Sequence, residues 1–373
     1  MVYFDNAATT PLWPEVQQLI SNNLDKFGNA STLYEYGYEA RQALEQARAT
    51  IAELIHAEPE EIYFTSGGSE ADTQAIFTFC NKRHFHVVSS SIEHPAVSDA
   101  IALCRKWFDG SSTYVYPEDR TGLIHFDDVN KAITNNTTLV TCMAVNNEIG
   151  TTQQIDMLSY VAHKCNKPFF ADCVQLFPHC KVDVRVFGAD MMSASAHKFG
   201  GPKGVGFLYC EKGYTPIKLI RGGGQERGCR AGTENVLGAM AMAEALKVTY
   251  DKNDFGYLSE LCATLSNELK ASGLHYIENG DVNNTNGIRS ISFRNLRGDE
   301  IQAMMEDRGF AISTGSACHS GVFIPSDTMR SVCCPVEYMN GTIRISLSVR
   351  NTKEEVISFV QALKEVIQIL EDY

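Results

Sequence analysis

Apolar residues after Ser31 recur at helical spacing. Ala40, Ala43, Leu44, Ala47, Ile51, Leu54 and Ile55 share one face, which predicts an amphipathic helix. The period then changes. EIYFT at 61–65 predicts a short strand, SGG a turn, and Ser69 the N-cap of a helix carrying Ala71, Ala75 and Ile76. The alternation repeats with a strand at 86–90, a helix after Pro95, a strand at 112–116 and a helix at 126–133. A buried strand at 137–145, a helix at 155–165 and strands at 168–172, 189–195 and 205–210 follow. Beyond about Asn253 the texture shifts to a helix (258–271), a strand (287–293), a helix (298–308), two short strands and a terminal helix (353–370).

Short apolar strands alternating with helices predict an α/β fold with a mostly parallel sheet covered on both faces. Ligands in such folds bind beyond the carboxyl ends of the strands. Ser69, His94, Asn147, Asp172 and Lys198 each follow a predicted strand directly. The α+β segment after a boundary near 252–256 predicts a second, smaller domain, and 373 residues suit two domains. No internal repeat or low-complexity segment interrupts the chain.

Composition narrows the function classes. At 44% hydrophobic and 21% charged residues, the chain is neither disordered, collagen-like nor a coiled coil. No apolar run approaches the ~20 residues a membrane span needs. The opening MVYFDNAATTPLWPE lacks the basic-then-apolar pattern of a secretory signal. A net charge of −13 without a concentrated basic patch argues against nucleic acid and for small-molecule chemistry or protein partners. Twelve cysteines with no C-x-x-C pair are expected to be reduced cytoplasmic thiols, mostly buried as small hydrophobes.

Three strand ends carry one chemistry between them. In SAHKFGGP at 195–202, Lys198 follows a strand and precedes two glycines, where backbone can approach a ligand closely. A solvated surface lysine is the alternative. No G-x-x-x-x-G-K-[ST] loop occurs, and GGGQERG at 222–228 places Arg227 where the third glycine of a dinucleotide loop belongs. Asp172, ending PFFAD, is a carboxylate at the end of a buried strand and needs a cationic partner. Pyridoxal phosphate meets these needs together. Its ring nitrogen is protonated beside an aspartate, its aldehyde joins a lysine, and its phosphate needs a helix N-terminus such as SGGS at 66–69 offers.

A second constellation is STGSACHSG at 313–321, where small residues flank Cys318 in a predicted mobile loop. It reads either as an incidental loop thiol or as a nucleophile that carries a group away from a pocket. An ordinary thiol pKa of roughly 8.5 leaves such a nucleophile needing help to ionise at neutral pH. His319 is adjacent, with its part open. Cys333 and Cys334 form a vicinal pair expected to stay as thiols, because vicinal disulfides are strained. Arg344 in GTIRISLSVR is either a solvent-facing strand residue or a clamp for a substrate carboxylate.

Taken together, FDNAATTP (4–11), TSGGSEADTQAI (65–76), EHPAV (93–97), VNNEIGT (145–151), ADCVQ (171–175), the lysine segment (195–209), GGGQERGCRAGTENV (222–236), STGSACHSG and GTIRISL (341–347) resemble the cysteine desulfurase family. These are pyridoxal-phosphate enzymes of fold type I, in the class-V aminotransferase group. The resemblance implies a large cofactor domain over 15–254 built on a seven-stranded, mostly parallel sheet. It implies a small α+β domain from 1–14 and 255–373, with the catalytic cysteine on a mobile loop at about 314–340.

The same resemblance implies roles. Lys198 holds the cofactor and later shuttles a proton; Asp172 pairs with the ring nitrogen, Gln175 with the ring hydroxyl, and His94 stacks on the ring and takes part in catalysis. Gly68, Ser69, Ser195 and His197 hold the phosphate, with Thr233 contributed across a homodimer interface. Asn147 and Arg344 orient the bound L-cysteine, Asn147 also touching the cofactor, and Asn29 lies close by. Cys318 takes the sulfur as a persulfide and passes it to a protein acceptor, an iron–sulfur scaffold or a tRNA-thiolation protein. No resident metal is implied beyond a transient iron–sulfur cluster on Cys318. About two dozen residues between Cys318 and Arg344 resemble the long-loop group. The chain departs from the family at Ala30 and Tyr34, at 323–327 and at Cys333-Cys334, changes that bear on which acceptor docks. A selenocysteine lyase or another class-V enzyme is the alternative activity, and an inactive sulfur carrier or scaffold of the same fold the non-enzymatic one.

Overall fold

The computed structural model describes residues 1–314 and 325–372. Its strands in chain order begin with β1 (Val2–Tyr3), β2 (Ile62–Thr65), β3 (His86–Ser90) and β4 (Ser111–Val115). Next come β5 (Thr137–Thr141), β6 (Phe169–Asp172), β7 (Met191–Ser195) and β8 (Gly206–Cys210). The last are β9 (Tyr276–Asn279), β10 (Ile288–Phe293), β11 (Phe310–Ala311) and β12 (Thr342–Ser346).

The main sheet has seven strands in the order β2-β8-β7-β6-β5-β3-β4. β8 runs antiparallel to both neighbours, and the other pairings are parallel. Period-two geometry sends alternate side chains to opposite faces. Tyr63, Val87, Leu139, Phe170, Met191 and Leu208 pack into one core, with the helices Gly68–Cys80 and Pro95–Phe108. Ile62, Phe64, Val88, Val140, Phe169 and Met192 pack into the other, with Glu35–Ile55, Ile155–Lys164 and Val236–Lys252. Both faces are covered, which is why these strands read as continuous apolar runs.

A smaller antiparallel sheet, β12-β10-β9, and the parallel β1–β11 pair surround a separate core. The N-terminal segment belongs to it. Phe4 is fully buried against Phe310 and Phe359, and its backbone bonds both Ala311 and Ser346. The chain then crosses to the main sheet, where Trp13 packs on the larger core.

Several local expectations are corrected. Gly67, not Ser69, caps the helix Gly68–Cys80, because its φ of 154° is open to glycine and barred to serine. The strand expected over 137–145 ends at Thr141, where the chain turns toward Asn146, whose side chain caps Glu148 and Ile149. The helices Pro14–Ser21 and Val236–Lys252 and the strand β9 are additional to the elements the sequence pattern predicts. The second helix is small-residue-rich and apolar nearly all round, so it has little amphipathic signature.

The segment 222–228 proves structural. β2 is an edge strand, and Glu226 accepts a hydrogen bond from Phe64 N at 2.9 Å while pairing bidentately with buried Arg48 at 2.8 and 2.9 Å. Arg48 and Arg227 both donate to the carbonyl of Ile62, so the edge is closed to further strands. Arg48→Ala strands a buried carboxylate, and we expect a loss of about 3–5 kcal/mol in urea unfolding. A loss under ~1 kcal/mol contradicts this account of the pair.

Candidate active site

The carboxyl ends of the main-sheet strands open into a cavity of about 430 Å³, within the usual size of small-molecule sites. Gly68, Ser69, His94, Asn147, Asp172, Gln175, Ser195, His197, Lys198 and Arg344 all line it. The turn after each strand puts them there.

After β2, the glycine turn starts the helix Gly68–Cys80, whose first N–H groups have no helical partner. A Cβ on Gly68 would stand 2.6 Å from Val174 Cγ2, so only glycine lets this turn approach the loop after β6. Ser195 at the end of β7 and His197 complete this corner, with His197 Nδ1 3.2 Å from Thr9 Oγ1. Burial lowers the His197 pKa to about 4, so the ring is neutral. After β3, His94 caps the helix Pro95–Phe108 by accepting a bond from Ala96 N at 3.1 Å on Nδ1. Burial depresses its pKa against the opposing charge of Asp172, with Lys198 adding to the depression; with Nδ1 accepting, the neutral ring carries its proton on Nε2.

Asp172 ends β6 and is 4% exposed. Its Oδ1 accepts from Val174 N at 2.9 Å and from Ser193 Oγ at 3.4 Å. Burial raises its pKa, opposed by the Val174 N–H, His94 and Lys198. Beside it lie two further buried carboxyls, Asp72 and Glu93. Asp72 is pushed well above the usual range by burial, and Glu93 to about 8 for the same reason.

Lys198 Nζ donates to the carbonyls of Ala7 and Ala8 at 2.6 and 3.0 Å. Burial lowers its pKa to about 8, with Arg344 the next contributor. Gln175 also ties to this N-terminal segment, Nε2 donating to Ala7 O at 2.7 Å. Arg344, on β12, is buried rather than solvent-facing. Its guanidinium donates to Asp5 Oδ1 at 2.7 Å and to Asn147 O at 2.8 Å, and its buried Nε has no partner among the described residues. A carboxylate reaching this clamp therefore meets a guanidinium already oriented by Asp5.

Two expected site residues stand apart from this cavity. Asn29 does not line the cavity of its own chain; its Oδ1 is engaged by Ser31 N at 2.9 Å. Thr233 is exposed on the surface, also away from the cavity. Cys318 and His319 lie outside the described residues. The flanks of that segment do meet the site: Ser313 pairs with Arg344 through two backbone bonds, and Ser326 Oγ donates to Glu148 Oε2 at 2.5 Å. Burial lifts Glu148 to about 7. Eight of the eleven described cysteines are buried and all eleven are free, including Cys333 and Cys334.

The cavity also contains residues for which strand-end reasoning gave no role: Ala7, Ala8, Asp72, Met143 and Ser313. Asp72 carried a weak signal, one helical turn past the glycines. Ala7 and Ala8 stand in the FDNAATTP segment that carries the family resemblance, but nothing local says that they sit under Lys198.

The donor set fits pyridoxal phosphate. A buried carboxylate without a lysine or arginine hydrogen-bonded to it suits a protonated ring nitrogen, a lysine of lowered pKa suits an aldehyde, and a glycine-built helix N-terminus suits a phosphate. Among the described residues no helix is long and apolar enough to cross a membrane.

Comparison with known proteins agrees. The aminotransferase class-V family profile matches residues 2–359. The chain is 39% identical to the cysteine desulfurase IscS of Dictyoglomus turgidum, over 99% of this chain and 95% of that protein. It is similar to the solved structure of a NifS-like protein, with a TM-score of 0.90 at 32% identity, covering 99% of this chain and 100% of that one. It is also similar to SspA in complex with cysteine, with a TM-score of 0.81 at 31% identity, covering 93% and 99%. A chain with this fold, a lysine, an aspartate and a glycine-built helix start converging on one cavity, and relatives matched end to end belongs to the cysteine desulfurase family of class-V, pyridoxal-phosphate-dependent aminotransferases.

Proposed function

We propose that this protein is an L-cysteine desulfurase that uses pyridoxal phosphate to release alanine and deliver sulfur to an acceptor through Cys318. The observation that carries the reading is the meeting of Lys198, Asp172 and the Gly68 helix start in one cavity. SspA, similar over nearly the whole chain, was solved with cysteine, which supports the same substrate here.

When bound, the cofactor supplies an electron-withdrawing ring that makes a substrate Cα proton acidic. The chain's residues do the rest. Gly68, Ser69, Ser195 and His197 hold the phosphate, Asp172 the ring nitrogen, Gln175 the ring hydroxyl, and His94 covers the ring. Arg344 and Asn147 orient the substrate carboxylate. Lys198 Nζ takes and returns the proton at Cα, a task suited to an amine with a pKa near the working pH. The Cys318 thiolate then attacks the substrate sulfur. The new S–S bond forms as Cβ–S breaks, and a proton goes to carbon, so alanine leaves and a persulfide stays. Cys318 is five residues along the chain from Ser313, which pairs with Arg344, a reach of at most roughly 18 Å.

The active form in this reading is a homodimer with Thr233 reaching the partner's phosphate corner. A face bearing exposed Phe27 (78%) and Leu33 (93%) supports it, as does an adjoining hollow of about 620 Å³ lined by Phe27, Tyr36 and Met240. Thr233 lies just before the helix that carries Met240, and Asn29 lies in the segment that carries Phe27. Two separate cores support a large unit over 15–254 and a small one over 1–14 and 255–373, although within 1–14 only Val2 and Phe4 pack in the small core while Ala7, Leu12 and Trp13 pack on the large one. The free cysteines are in keeping with the reducing cytoplasm as its compartment.

Two measurements test this. Protein loaded with pyridoxal phosphate and given L-cysteine and a thiol reductant is expected to form alanine and sulfide in equal amounts; alanine without sulfide, or neither, overturns the assignment. Turnover of selenocysteine but not cysteine would instead favour the lyase. In the cofactor-free protein the Lys198 amine is mostly protonated below its pKa. Cofactor loading is therefore expected to quicken about tenfold per pH unit up to about 8 and level off above, followed by visible absorbance. A rate that is flat from pH 6 to 9 contradicts this.

A further inference from the structure

The cavity holds a carboxyl group that the chemistry above does not use. Asp72, on the first turns of the helix Gly68–Cys80, lines the cavity with Asp172 and is 1% exposed, and its Oδ1 has no hydrogen-bond partner among the described residues. Ser193 on β7 is fully buried and serves both acids. Its hydroxyl is 3.4 Å from Asp172 Oδ1 and within hydrogen-bonding reach of Asp72. A hydroxyl has one proton to give. If Ser193 donates to Asp172, an ionised Asp72 faces only lone pairs, in a place where no lysine or arginine bonds it. With Asp172 as the anion, which also accepts the Val174 N–H, the contacts close only when Asp72 bears a proton. Its O–H then donates to Ser193 Oγ, and the Ser193 O–H donates to Asp172 Oδ1. Burial, the charge of Asp172 and, more weakly, that of Glu93 favour the neutral form of Asp72, and together they outweigh the Ser193 hydroxyl, which favours the ionised one.

We propose that Asp72 is a positioning residue for Asp172: as the neutral acid it feeds a hydrogen bond through Ser193 that fixes Asp172 as the single charged carboxylate behind the cofactor ring. This rests on the reading that Asp172 meets the ring nitrogen. One proton on Asp72 and one on Ser193 satisfy the whole chain. A second anion at Asp72 would raise the cost of ionising Asp172, and loss of the donor would let the Ser193 hydroxyl turn away.

The test compares Asp72→Ala, Asp72→Asn, Ser193→Ala and the Asp72→Ala/Ser193→Ala double variant, each as the full chain. Pyridoxal phosphate affinity is read by visible-absorbance titration, and folding by thermal melting of the cofactor-free protein. Asp72→Ala and Ser193→Ala are each expected to weaken binding roughly 10- to 100-fold, the range of a lost hydrogen bond to a charged group. The double variant should be no more than about threefold worse than either, since both cut one chain. Asp72→Asn, whose amide still donates to Ser193, should stay within about threefold of the parent. An Asp72→Ala variant that binds normally, an additive double variant, or an Asp72→Asn variant as weak as Asp72→Ala each overturns the relay. If Asp72→Ala does not fold, Ser193→Ala and Asp72→Asn still decide. Asp172→Asn separates the two readings: normal binding there refutes the cofactor placement itself, whereas weakened binding there with no effect at Asp72 removes only the relay.

Discussion

Lys198→Ala is expected to abolish the visible absorbance of the bound cofactor's lysine linkage and to cut cysteine turnover by about 10⁴-fold or more. Two functions are lost with one nitrogen. Lys198 Nζ is the amine lining the cavity, held by the carbonyls of Ala7 and Ala8, and burial lowers its pKa to about 8, close enough to working pH for it to give up and regain a proton. No other lysine lines the cavity, so no neighbour substitutes for it as cofactor anchor or as proton carrier at Cα. The variant should retain some cofactor affinity, because the phosphate corner and Asp172 are untouched. Sulfide release at parental rates, or an unchanged spectrum, refutes both roles at once.

Cys318→Ser should show the opposite pattern. The cofactor spectrum should persist, since no predicted cofactor contact involves residue 318, while persulfide formation and sulfide release fall by at least about 10³-fold. A serine hydroxyl is far less ionised than a thiol at neutral pH and cannot form the S–S bond that holds the product sulfur. Mass spectrometry of the cysteine-treated parent should find one added sulfur on the peptide containing Cys318. Finding it on Cys333 or Cys334 instead moves the nucleophile. Cys333 is exposed and sits in a left-handed turn, and Cys334 is buried. An exposed thiol this close in sequence is therefore the informative control.

The fold and much of the site can be derived from local order. Continuous apolar runs such as FFAD and MMSAS require two covered faces, and glycine turns after them mark where strands end. Lys198, Asp172 and the Gly68 helix start could be placed on one rim because parallel strands share one carboxyl end. What no local pattern contains is contact between distant segments. Ala7 and Ala8 under Lys198, Asp5 bracing Arg344 and Glu226 sealing the β2 edge with Arg48 are such contacts, spanning from about 160 to about 340 residues of chain. The same holds for charge: Asp72 reads as an ordinary helix aspartate until the sheet buries it against Ser193 and Asp172. Sequence period and turn chemistry act over a few residues and so determine elements and strand ends. Desolvation and long-range pairing depend on what the folded chain places in front of each group, and only the tertiary structure decides that.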